Sequence, residues 1–60
     1  MKAAEHYSIW LNINGERKLK VVHMTYPHAE MLAWKLYDAG ADVSVREGYG
    51  GDVVWRGMQG

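Results

Sequence analysis

The sequence predicts an α+β fold of the order ββαββ, in which a four-stranded antiparallel sheet with strand order 2-1-3-4 carries one helix on one face. Apolar and polar residues alternate in four segments, one segment repeats apolar residues at helical spacing, and turn-forming residues separate the segments. The helix between strands two and three reverses the chain, so strand three is expected beside strand one. A chain of 60 residues buries only about 60% of its unfolded surface, and we expect residues 1–60 to form a single small domain.

The first hairpin is predicted from alternation on both sides of an Asn-Gly pair. Strand one has apolar residues at every second position, namely Tyr7, Ile9, Leu11 and Ile13. Asn14-Gly15 is a hairpin turn signal. Strand two then extends to about Met24, and its alternating residues are Lys18, Leu19, Lys20 and Val21.

Two turn lengths are compatible with this hairpin, and they pair different residues. A two-residue loop places Leu11 opposite Lys18, which would mix an apolar and a charged face. A three-residue loop over residues 13–15, with its glycine in the left-handed conformation, pairs Ile9 with Leu19 instead. Because the longer loop keeps each face uniform, we predict the three-residue turn.

The central segment is predicted to be a helix from about Tyr26 to Ala39. Thr25 is a suitable N-cap, and Pro27 lies in the first turn, where its missing N–H costs nothing. Gly40 stands where a glycine ends many helices. The face expected to pack on the sheet has the spacing i, i+3, i+4, i+7 and consists of Ala29, Leu32, Ala33 and Leu36.

A second hairpin is predicted after the helix. Val43 and Val45 alternate with polar residues in strand three, and residues 52–57 form strand four, with Trp55 directed to the core. The glycine-rich segment 48–51 between them is expected to be a flexible hairpin loop.

Composition excludes several classes of protein. Seven basic and seven acidic side chains give zero net charge, which argues against a dedicated binder of duplex DNA. The chain contains no cysteine, so disulfides and thiolate chemistry are excluded and a reducing cytoplasm is favoured. No stretch approaches the ~18 apolar residues of a membrane span, and we expect a soluble protein without a membrane partner.

The sequence contains no pattern typical of an active site. His28-Ala29-Glu30 matches the start of a zinc deaminase motif, but the cysteines that would complete it are absent. The three histidines lack the spacing of a metal site. The glycines of segment 48–51 join two strands rather than opening a helix, unlike a phosphate-binding loop. We therefore predict no catalytic residue, no metal, no cofactor and no enzymatic activity.

Trp34 is the most informative residue for function, because the helix already has a complete apolar face without it. At ~100° per residue, Trp34 lies well around the helix from that face, with Met31 and Asp38 beside it. Trp and Met are enriched where proteins contact partners. We predict that Met31, Trp34 and Asp38 bind a partner protein; alternatively, Met31 and Trp34 pack under a terminus or under segment 48–51.

The face of the sheet away from the helix is a second candidate surface. Trp10 is expected there with Lys18, Lys20, Ser44 and Arg46, accompanied by Val22, Val54 and Arg56. Trp10 could join the partner-binding residues. Alternatively, it could stack a base of single-stranded nucleic acid while Lys18, Lys20, Arg46 and Arg56 contact phosphates. In a third alternative, Trp10 is a rim residue or is buried in a homodimer.

The stretch from Tyr7 to Glu47 resembles small bacteriophage proteins that act against host machinery, in particular the strand-strand-helix-strand inhibitors of bacterial RNA polymerase. The resemblance comprises an aromatic-led first hairpin, a Trp near the middle of the helix, and the residues Thr25, Ala29, Leu32, Ala33, Gly40, Val43 and Val45. The fourth strand and the balanced charge depart from that pattern, and no inhibitor residue is carried over. The resemblance implies a non-catalytic protein of a phage or mobile element that occupies a surface of a host complex, such as RNA polymerase or a CRISPR effector, in the host cytoplasm.

Overall fold

The computed structural model describes residues 6–58, except the side chains of His23 and Met24. Its elements are β1 (Tyr7–Ile13), β2 (Glu16–Met24), α1 (Tyr26–Asp38), β3 (Asp42–Glu47) and β4 (Val53–Gly57). The four strands form one sheet in the order β2-β1-β3-β4, and all neighbours are antiparallel. The helix α1 packs on one face of this sheet. The predicted α+β fold and strand order are confirmed.

The turn between β1 and β2 has two residues, so the predicted three-residue turn is wrong. Ile13 pairs with Glu16, which leaves only Asn14 and Gly15 in the loop. Their φ angles of 52° and 80° are both in the left-handed region, as a type I′ turn requires. The Asn-Gly pair therefore determines the loop length, although it places Leu11 opposite Lys18.

A one-residue register shift reconciles this turn with the core. Trp10 pairs with Leu19, whereas the preceding residue, Ile9, pairs with Val21, so Lys20 is the extra residue of β2. The shift returns Val21 to the helix side, where it packs against the core. Leu19 is paired with Trp10 on the other face, and its predicted pairing with Ile9 is wrong.

The helix ends where the sequence predicts, through a glycine cap. Gly40 has a φ of 102°, and its N–H donates to the carbonyl of Tyr37 at 3.0 Å. The N–H of Ala41 donates to the carbonyl of Leu36 at 3.1 Å, which completes a Schellman motif. At the other end, Thr25 is the N-cap, but its side chain makes no capping hydrogen bond.

The core lies between α1 and the two central strands. The buried apolar residues are Ile9, Ala29, Ala33, Val43 and Val45, and the half-buried residues around them include Leu32, Leu36, Tyr37 and Trp55. The two alanines are small, which lets the helix approach the sheet closely. The predicted apolar face of the helix is confirmed. None of the helices within residues 6–58 has the length and apolar character needed to cross a membrane.

Candidate functional site

The helix presents a half-exposed tryptophan at the border between α1 and β4. Trp34 is 49% exposed and Met31, one turn earlier, is 58% exposed; Asp38 is exposed as well. The Trp34 ring contacts Tyr37 and Trp55 edge to face, with ring centroids 5.8 Å and 5.3 Å apart. Trp34 is therefore packed against β4, rather than beneath segment 48–51, and half of it remains on the surface.

We refer to Trp34, Tyr37 and Trp55 as the aromatic cluster. It rests on the backbone of Gly57, where a Cβ atom would lie 2.7 Å from Cη2 of Trp55 and 2.8 Å from Cδ1 of Tyr37. A side chain at this position would occupy the space that the rings fill. The absence of a side chain at Gly57 thus allows the cluster to pack against the edge of the sheet.

Met31 lines a shallow depression on the outer side of the helix. The depression has a volume of about 220 Å³, and its other lining residues are His28, Leu32 and Lys35. Met31 and Trp34 are three residues apart, so they are neighbours on the helix surface. Together with Asp38, they form a continuous surface of apolar groups with one acidic group, which we call the helix surface.

The opposite face of the sheet carries a second surface. Register places Trp10, Ser44 and Arg56 in one row across three strands, and Ser8 is opposite Arg46 in the next row. Except for the buried Ser8, these residues border a groove of about 500 Å³. We call it the arginine groove and define it by Trp10, Arg17, Asp42, Ser44, Arg46 and Arg56.

The loop 48–51 folds back over one end of this face. The Ser8 hydroxyl donates to the Tyr49 carbonyl at 2.7 Å, and the Trp10 indole N–H donates to the Ser8 hydroxyl at 2.8 Å and to the Tyr49 carbonyl at 3.1 Å. The Tyr49 ring lies perpendicular to the Trp10 ring at 5.7 Å. Ser8 is completely buried. Trp10 is half-buried, and its orientation is fixed by the hydrogen bonds that its indole N–H donates to Ser8 in β1 and to Tyr49 in the loop 48–51.

The cations of the open face differ partly from those predicted. Arg46 and Arg56 line the groove as expected, whereas Lys18 and Lys20 do not. Lys18 is paired with the helix-side residue Leu11, and Lys20 is the extra residue at the register shift. The predicted place of Lys18 on the open face is therefore wrong, and Lys20 is not among the residues that line the groove.

Arg17 is the groove cation that sequence reasoning missed. It pairs with Asn12, and its guanidinium carbon lies 5.7 Å from the centroid of the Trp10 ring, within the range of a cation–π contact. The signal that could have found it is the Asn-Gly turn. A strict two-residue loop places Arg17 on the same face as Trp10.

No carboxylate among the described residues forms an ion pair with the guanidinium groups of the groove. Among the described side chains, Lys18 forms an ion pair with Glu16 at 3.9 Å, outside the groove. Arg46 donates one hydrogen bond from Nη1 to the Gly51 carbonyl at 3.1 Å. Its Nε is buried and has no acceptor among the described residues. The groove therefore has a local positive charge although the chain as a whole is neutral.

Among the described residues that line the groove, the acidic one, Asp42, lies at one end. Asp42, Ser44 and Arg46 are at successive same-face positions of β3, so the charge changes from negative to positive along that strand. Arg56, opposite Ser44, is next to the positive end. The groove is consequently polarised, and an anion is favoured at the Arg46 and Arg56 end.

Comparison of the chain with protein-family models, curated proteins and solved structures finds no match. The resemblance to phage inhibitors stays a prediction. Within the part of the chain that the structure describes, no three His, Asp or Glu residues are grouped so that they could hold a metal ion; the His23 side chain lies outside that part.

Proposed function

We propose that this protein is a non-catalytic binding module that recognises a partner protein through the helix surface. The observation that carries the proposal is the half-exposed Trp34 beside the exposed Met31, on a helix whose core-facing positions are already filled. Half-exposed aromatic residues that are supported from behind are typical anchors of protein interfaces. Trp34 has such support, since Tyr37 and Trp55 hold its ring from the side of the sheet.

The finer form of the proposal is inhibition of a host complex. A small domain that occupies a surface of RNA polymerase or of a CRISPR effector needs no active site, and it needs apolar anchors with a polar rim. Asp38 and Lys35 supply charged groups next to the apolar ones. We propose the cytoplasm of a host cell as the site of action, in line with the predicted resemblance.

Two methionines offer a matched test. Met31 on the helix surface and Met58 at the arginine groove are 58% and 57% exposed, so replacement of either by alanine removes a similar exposed side chain. A photo-crosslinking residue at position 31 or at position 58 is introduced, and each protein is incubated with purified bacterial RNA polymerase and with host lysate. We expect specific cross-links from position 31, and we expect Met31→Ala and Trp34→Ala to abolish capture of the cross-linked partner.

The control variant Met58→Ala should retain capture. Retained binding by Met31→Ala and Trp34→Ala, each shown to be folded by circular dichroism, would contradict the proposal. Cross-links from position 58 alone would show that the partner protein binds the other face of the sheet. Sedimentation at several protein concentrations separates capture of a partner from self-association.

A further inference from the structure

We propose that the arginine groove is a binding site for a nucleotide unit, that is, a planar base joined to a phosphate, presented by single-stranded nucleic acid or as a free nucleotide. This site is on the opposite face of the sheet from the helix surface. Its ligand is accordingly independent of the partner protein proposed above.

The groove carries positive charge that can bind a phosphate group. Three guanidinium groups border it, from Arg17, Arg46 and Arg56, and none has a carboxylate partner among the described residues. Arg46 and Arg56 are diagonal neighbours across β3 and β4, because Arg56 is opposite Ser44. Such positions are about 7 to 8 Å apart, so both side chains can reach one phosphate group. Arginine is the residue best suited to bind phosphate by paired hydrogen bonds.

A stack of planar groups lies next to these cations. The Arg17 guanidinium lies over the Trp10 ring, and bases stack on both aromatic rings and guanidinium planes. Trp10 is fixed by its two hydrogen bonds to Ser8 and Tyr49. A base that joins this stack therefore meets a group that is already oriented, which lowers the entropic cost of binding.

A nucleotide unit matches the groove better than other anionic ligands do. The groove volume of about 500 Å³ is within the ~300 to 1,000 Å³ typical of ligand sites. An acidic peptide supplies charge but no planar group for the stack on Trp10 and Arg17. Duplex DNA keeps its bases stacked within the helix, so their faces are not available to that stack. A single strand or a free nucleotide supplies both a phosphate and an accessible base.

The test uses a fluorescein-labelled oligouridylate about eight nucleotides long, a length within the site sizes of single-strand binding folds. Binding is followed by fluorescence anisotropy at low salt and at increasing salt. We expect the logarithm of the affinity to fall with the logarithm of the salt concentration, with a slope of about −0.7 for each phosphate contact. In a separate titration, unlabelled adenosine monophosphate is added to the protein, and its binding is followed by the chemical shifts of the backbone amides.

Matched variants separate the groove from general charge. Arg17→Gln and Lys18→Gln remove the same charge from adjacent residues of β2, which the register directs to opposite faces; Arg56→Gln and Lys20→Gln form a second pair. We expect roughly tenfold weaker binding for each arginine variant and unchanged binding for each lysine variant. Trp10→Phe retains an aromatic ring for stacking but loses the two indole hydrogen bonds, and it should weaken binding by less than Arg17→Gln.

Comparison of the two ligands and of the variants distinguishes the possible outcomes. Binding of both ligands with the arginine dependence identifies a nucleotide pocket, and binding of the oligonucleotide alone identifies a single-strand site. No binding of either ligand at low salt overturns the proposal, as does equal weakening by arginine and lysine variants. An octaglutamate peptide that binds as tightly as the oligonucleotide also overturns it. Met31→Ala should leave oligonucleotide affinity unchanged, so failure here is distinguishable from failure of the protein-binding proposal.

Discussion

The two faces of the sheet hold their exposed aromatic residues by different forces. On the helix side, Trp34 contacts Tyr37 and Trp55 ring to ring, above the bare backbone of Gly57. On the open side, hydrogen bonds fix Trp10, because its indole N–H contacts the Ser8 hydroxyl and the Tyr49 carbonyl. One tryptophan is stabilised by apolar packing and the other by directional polar contacts.

This difference suggests different binding roles. Edge-to-face packing supports the inner side of Trp34 and leaves its outer half on the surface, where a protein can cover it. Hydrogen bonds specify orientation, so Trp10 presents a defined ring with the Arg17 guanidinium above it. The helix surface is therefore suited to an apolar contact with a protein, and the arginine groove is suited to a ligand that needs oriented groups.

The largest loss of stability should come from a core substitution in β1, the central strand that contributes residues to both faces of the sheet. Ile9 is completely buried in the central strand β1, and Ile9→Ala should reduce the free energy of unfolding by about 2 to 5 kcal/mol, through lost burial and a residual cavity. Urea unfolding followed by circular dichroism measures the change. The exposed residue Ile13, in the same strand, provides the control, and Ile13→Ala should cost far less. Similar losses for the two variants would contradict the assignment of the core.

The aromatic cluster is tested next by filling the space beneath it. Gly57→Ala should cost about 1 to 3 kcal/mol, because the added methyl group forces the rings of Tyr37 and Trp55 to move. The shift should also alter tryptophan fluorescence. Gly50→Ala is the matched control, since a Cβ atom there would meet nothing within 4 Å. A Gly57→Ala protein with unchanged stability and spectrum would show that the cluster does not rest on this glycine.

The polar attachment of Trp10 should contribute less. Ser8→Ala removes one hydrogen bond to the Tyr49 carbonyl and one from Trp10, while the direct Trp10 to Tyr49 bond at 3.1 Å remains. We expect a loss of about 1 kcal/mol together with faster amide hydrogen exchange in the loop 48–51. Ser44→Ala, on the same face and without a side-chain hydrogen bond among the described residues, should change neither quantity. If the loop exchanges at the same rate in Ser8→Ala, the hydrogen bonds do not hold it.

Local patterns were sufficient to predict the elements of the fold. The strand at residues 7–13, the apolar face at Ala29 and Ala33, and the cap at Gly40 depend on neighbouring residues, and all of them are confirmed. Trp34 was predicted outside the core face for the same reason. Its contact with Trp55 depends on the position of β4, and the periodicity of the helix does not contain that information.

The groove could not be assembled from local patterns. Its composition depends on how four strands pair and, within β2, on the two-residue turn, which places Arg17 rather than Lys18 on the face of Trp10. Ser8 looks like an ordinary polar strand residue, but it is buried because a loop 41 residues away folds onto it. Ser8 was missed because such a contact depends on the whole sheet, whereas Arg17 was missed because a three-residue turn was predicted in place of the two-residue turn.

The smallest expected effect concerns a polar contact within the helix side. The Tyr26 hydroxyl donates to Glu30 at 3.3 Å, and the Tyr26 ring contacts Tyr7 edge to face at 5.4 Å. Burial, and then the nearby Glu30 carboxylate, raise the pKa of Tyr26 above its usual value of 10.0. The unfolded chain therefore loses this proton first as the pH rises, so the contribution of Tyr26 to stability is present below pH 10.0 and is lost above it.

Urea unfolding of the wild type and Tyr26→Phe, at neutral pH and above pH 10.0, isolates this contribution. The wild type should lose more stability between the two conditions than Tyr26→Phe. Glu30→Gln removes the carboxylate but leaves the burial, and since burial is the largest single cause of the raised pKa, part of the alkaline loss should remain in that variant. Complete disappearance of the loss in Glu30→Gln would mean that charge repulsion, rather than burial, controls Tyr26. The contact of Tyr26 on the helix side would then be mainly electrostatic, like the polar contacts of Trp10 on the open face.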